Sequence, residues 1–97
     1  MSANTVQFLC PRHRRWLRER PVESASVWRS GFETAQRLMA SGNWEKAWRH
    51  AGCAFEAAQM MVSSARHCDR RWVSRHSASA AQLAMVTARL RANVTVH

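Results

Sequence analysis

Residues 28–62 read WRSGFETAQRLMASGNWEKAWRHAGCAFEAAQMMV, and the triplet Ser41-Gly42-Asn43 inside them decides the fold. Before the triplet, Trp28, Phe32, Ala35, Leu38 and Met39 recur at the three- and four-residue intervals of one buried helical stripe. After it, Trp44, Ala47, Trp48, Ala51, Ala54, Phe55, Ala58, Met61 and Val62 share a second stripe, rich in small residues that let another helix come close. Two helices joined by so short a break must fold back antiparallel. Gly42 suits the left-handed conformation that ends a helix, and Asn43 can cap the next. The sequence therefore predicts a hairpin of helices over 24–40 and 44–66, with Ser24 or Ser26 capping the first.

Working outward, Pro11 fits the first position of a short basic helix over 11–19, and Pro21 is expected to stop it. Residues 1–10 show no period and are expected to be loose. Beyond Arg66-His67-Cys68-Asp69 a final helix spans 70–92, with Val73, His76, Ala80, Leu83, Ala84, Thr87 and Leu90 as its core stripe. Ala78, Ala81, Met85 and Ala88 give it a second, milder apolar face, which suggests deep burial or a partner. The predicted fold is all-α, a three- or four-helix bundle in one domain over 1–97. Three Gly and two Pro are too few for a turn-rich β fold, and 46% apolar residues suffice for a core. That core is thin, because a chain this short buries only roughly 60–65% of its unfolded surface.

The stretch from Trp28 to Gln59 resembles a single tetratricopeptide repeat, a helix pair of about 34 residues. Gly42 stands at the turn glycine, Trp44 at the aromatic position two residues later, and Ala47 and Ala54 at the small positions of the second helix. Ala35 replaces a small Gly and Leu38 a large aromatic. The pattern departs at Gly31, where the family has Trp, at Thr34 for Leu, at Ala51 for a bulky aromatic and at Gln59 for the closing Pro. No second copy follows in the chain. The resemblance implies protein recognition through a groove lined by the first helix, here Arg29, Phe32, Gln36 and Met39. It also implies that the flanking helices, or a second copy in a homodimer, cover the ends of the unit.

Net charge is +9, unevenly spread. Residues 1–22 carry five Arg against Glu19, residues 23–65 balance to zero, and residues 66–97 carry six Arg against Asp69. Two basic segments thus flank a neutral middle and would attract nucleic acid, anionic lipid or an acidic protein surface. The candidate anion contacts are Arg12, Arg14, Arg15 and Arg18 in the first segment, and Arg70, Arg71 and Arg75 in the second. Arg suits bidentate phosphate contact, while Trp16 and Trp72 are read as core anchors before base-stacking platforms.

Cys10-x-x-His13 and His50-x-x-Cys53 make a formal Cys₂His₂ set. Pro11-Arg12 is no zinc-knuckle turn, however, and the separation of the pairs fits no finger, so ordinary packing is preferred and neither metal nor cofactor is expected. No acidic residue sits in a motif that would orient a Cys–His pair, and Gly31, Gly42 and Gly52 stand alone rather than forming a phosphate loop. The expectation is a protein that is not an enzyme. Three cysteines without framework spacing, and an N-terminus lacking a secretory pattern, point to a reduced, cytoplasmic setting. No stretch approaches the roughly 18–20 apolar residues that span a bilayer, and no membrane partner is expected. The functional expectation is a protein–protein interaction module, an adaptor, chaperone or regulator. Nucleic-acid binding through the two Arg-rich segments is the alternative.

Overall fold

The computed structural model describes residues 7–95 and places four helices in them. These are α1 (Pro11–Leu17), α2 (Pro21–Ala40), α3 (Trp44–Val62) and α4 (Arg70–Thr95), with no strand among the described residues. The middle layer is α3. Helix α2 packs along one side of it and α4 along the other, while α2 and α4 meet on a narrower line.

The hairpin forms where the triplet requires it. Gly42 has φ +78°, and its amide donates to Met39 O at 3.0 Å while the Asn43 amide donates to Leu38 O at 2.8 Å. This pair of bonds is a Schellman closure, which satisfies two carbonyls that the end of α2 would otherwise leave bare. Asn43 stands at the N-cap position of α3, where its carbonyl accepts the Ala47 amide at 3.0 Å, but its side chain makes no capping bond. Ala35, Ala47, Ala51, Ala54 and Ala58 are fully buried between the helices. Gly31 is where they come closest: a Cβ there would lie 2.8 Å from His50 O and 3.2 Å from the Ala54 Cβ.

Pro21 opens α2 as well as ending α1, so α2 starts at Pro21 rather than at Ser24. A residue without an N–H suits the first helical position, and one proline serves both purposes. Ser24 is buried, and its hydroxyl donates to Leu17 O at 3.0 Å, tying the end of α1 to α2 instead of capping a helix. Leu17 is the buried anchor of α1; Trp16, expected to anchor it, is 45% exposed. At its other end α3 stops at Val62 rather than near residue 66, and residues 63–69 form a tight connection in which Ser64 O accepts the Cys68 amide at 2.9 Å.

Residues 7–10 are held, not loose; residues 1–6 of that expectation lie outside the described residues. The Glu56 carboxylate, 4% exposed, accepts the Phe8 amide at 2.7 Å, the Leu9 amide at 2.8 Å and the Arg14 guanidinium at 2.9 Å. Leu9 is buried and the Phe8 ring lies edge-on to Trp48, with centroids 4.8 Å apart. It also covers Gly52, where any Cβ would collide with the ring.

Asp69 precedes the first residue of α4, and its Oδ1 accepts the Trp72 amide at 2.9 Å. Its buried line runs through Trp72, Ser79, Gln82 and Val86, while His76, Ala80, Leu83, Thr87 and Leu90 of the predicted stripe are half-buried beside it. Val73 is 52% exposed and Ala84 is exposed. Polar bonds rather than apolar periodicity set this phase. The Trp28 Nε1–H donates to Ser79 Oγ at 2.5 Å, and the Gln82 amide donates to Phe32 O and Gln36 Oε1, both at 3.0 Å. Among the described residues no helix is long and apolar enough to cross a membrane.

Candidate functional site, an arginine-lined cleft

The first turns of α2, the 63–69 connection and the first turns of α4 enclose an open cleft of about 540 Å³. It is lined by Pro21, Val22, Ala25, Ser26 and Arg29 of α2, by Arg66, His67 and Asp69 of the connection, and by Arg71, Trp72 and Arg75 of α4. Four arginines from three segments therefore line one space, with a single acidic residue, Asp69, among them.

Arg75 is the best fixed of the four. Its guanidinium lies 4.6 Å from the Trp72 ring centroid and 5.5 Å from that of Trp28. Both rings are themselves immobilised: Trp72 packs on Ala58 and Met61, while Trp28 stacks on Phe32 at 5.1 Å and bonds Ser79. Cation–π contact with two rings holds the group without neutralising it. Arg71 reaches Asp69 Oδ2 at 3.5 Å, and Arg66 reaches Glu19 at 3.5 Å, both at exposed positions where such pairs contribute little. The Trp72 backbone bond, with the nearby Arg71, holds the Asp69 carboxyl below the usual range. Arg29 is exposed and makes no ion pair among the described residues.

The sequence-predicted residues distribute unevenly around this cleft. Of the groove set, Arg29 lines it. Phe32 and Gln36 are bonded by Gln82, so α4 covers part of the line they occupy, and Met39 is half-buried beyond them. Of the basic set, Arg71 and Arg75 line the cleft, joined by Arg66, which the candidate set leaves out. Arg70 is exposed beside it. Arg14 is committed to Glu56 and is not a free anion contact. Arg12, Arg15 and Arg18 are exposed on α1, whose end meets the 63–69 connection through Glu19; its Oε1 also lies 3.4 Å from His67 Nε2. The cradle of Arg75 had one legible trace, the three-residue spacing from Trp72 on a helix; its second ring, Trp28, comes from another helix and left none.

The cysteine–histidine pairs serve local structure. The Cys10 Sγ accepts the His13 amide at 3.4 Å as the cap of α1, and Cys53 is half-buried on α3, where burial and then the nearby Glu56 push its thiol up. Among the described residues no three His, Cys, Asp or Glu gather as a metal cluster. Arg75, held by two rings, gives the cleft one preplaced positive charge, and Arg29 lines the same cleft from α2. Comparison of the chain with protein-family models, with curated proteins and with solved structures gives no match.

Proposed function

We propose that this chain is a non-catalytic interaction module that captures an acidic segment of a partner protein in the cleft between α2 and α4. The observation that carries this reading is that Arg29 and Arg75 line the same cleft and, among the described residues, neither has an acidic partner. A ligand that supplies carboxylates or a similar anion would gain charge-assisted, bidentate bonds there. The exposed Val22, with Pro21 and Ala25, supplies an apolar ledge for the neighbouring side chains. The tetratricopeptide-like pattern around Gly42 agrees with a recognition role, though the surface used is the start of α2 and not its whole length.

The test is fluorescence anisotropy with a labelled glutamate-rich peptide at low and moderate salt. Arg29→Glu should weaken binding at least tenfold, since a charge reversal at an interface both removes an attraction and adds a repulsion. Unchanged binding by a folded Arg29→Glu protein would reject the cleft. A second reading, nucleic-acid binding, is favoured by one observation: Arg12 and Arg15 on α1 and Arg18 at its end are exposed and, among the described residues, make no ion pair, near the 45%-exposed Trp16. It calls for affinity that falls steeply with salt and responds to Arg12 and Arg15, not to Arg29.

A further inference from the structure

We propose that the group gripped by the cleft is the phosphate dianion of a phosphorylated serine or threonine in a flexible segment of the partner protein. This rests on the reading of the cleft as the partner site and specifies its chemistry. Charge balance supplies the first argument. Arg71 is matched by Asp69 and Arg66 by Glu19, and among the described residues no carboxylate pairs with Arg29 or Arg75. A single carboxylate neutralises one of them. A phosphomonoester, carrying about −1.5 to −2 at neutral pH on one compact group, matches both.

Geometry supplies the second. Arg29 and Arg75 come from different helices, so the ligand atoms must present acceptors in two directions from one centre. Three phosphate oxygens do this, whereas the two oxygens of a carboxylate lie in one plane and suit one fork. Arg75 is held between two rings before any ligand arrives, so little of its freedom remains to be lost on binding. Val22, 77% exposed, then faces the residue next to the phosphorylated one.

The surroundings select a peptide over a nucleic acid. Trp72 is 3% exposed, and Trp28 carries Phe32 on its ring and Arg75 beside it, so neither indole offers a base a free face.

The experiment uses the full chain and pooled peptides with randomised flanks around a fixed centre: phosphoserine, serine, one glutamate or two consecutive glutamates, with a short single-stranded oligonucleotide as a further arm. The phosphoserine pool should bind about tenfold more tightly than the two-glutamate pool, the scale expected for matching a dianion on one centre. Arg29→Ala and Arg75→Lys should each lower that preference at least fivefold with an unchanged helical spectrum, the second because an ammonium keeps the charge but not the fork. Equal binding of the two-glutamate pool overturns the phosphate assignment and leaves the acidic-segment reading standing. No binding of any peptide pool overturns both, and tightest binding of the oligonucleotide overturns both in favour of nucleic acid.

Discussion

Arg14 and Glu56 meet at 2.9 Å with the carboxylate almost wholly out of water, and the same carboxylate accepts the amides of Phe8 and Leu9. One buried acid on α3 thus fastens the N-terminal segment and α1 to the hairpin. Glu56→Ala should destabilise the protein by about 3 kcal/mol, because it strands a mostly buried guanidinium and two amides at once. Glu56→Gln should cost less, since an amide oxygen still accepts. Urea unfolding followed by circular dichroism measures both, and a loss below about 1 kcal/mol for the alanine variant would show that the segment is not held this way.

Two glycines of the hairpin should respond differently to the same substitution. Gly31→Ala drives a methyl into the His50 carbonyl and should cost about 1–3 kcal/mol through forced separation of α2 and α3. Gly42→Ala has open space around its Cβ but a left-handed backbone, and should cost about 1 kcal/mol. Thermal unfolding of the two variants gives the order, and a larger loss at Gly42 would place the tight contact elsewhere.

The rotational setting of α4 is testable with two valines. Val73→Gln, at an exposed site, should change stability by no more than about 0.5 kcal/mol, while Val86→Ala, at a fully buried one, should lose about 2 kcal/mol. Reversal of that order would return α4 to the phase read from its apolar pattern.

Asp69 gives the protein an acid-side weakness. Its folded pKa lies below the ordinary aspartate value of about 3.9, chiefly through the Trp72 amide and then Arg71. A depressed carboxyl contributes stability that is complete above the unfolded value and is lost as pH falls through that value and then through the folded one. The melting temperature of the wild type should therefore drop toward that of Asp69→Asn as the pH falls below about 4. A constant gap between the two down to acid pH would show that the charge of Asp69 does nothing for the start of α4.

The hairpin was legible because its turn is a local device and its stripes are long and regular; Gly42 took the conformation its position demands. The α4 register was not, because Ser79 and Gln82 are polar and face α2 by bonding groups there, a choice hydrophobic periodicity has no means of registering. The N-terminal segment was missed for a similar reason: its fastening is one glutamate about 47 residues away, read in the sequence as part of a neutral charge balance. The cleft was half visible. Its arginines stood out, but that Arg29 joins Arg71 and Arg75 while Arg14 turns inward depends on packing between helices far apart in the chain.

The most direct measurement of the central claim is nuclear magnetic resonance mapping of the protein as an acidic peptide pool is added. The expected result is movement of the Trp28 indole N–H and of the amides around Arg29, Arg66, Arg71 and Arg75, with Phe55 and Leu83 on the far side still. Shifts confined to Arg12, Arg15 and Trp16, or none at the cleft at saturating peptide, would contradict it.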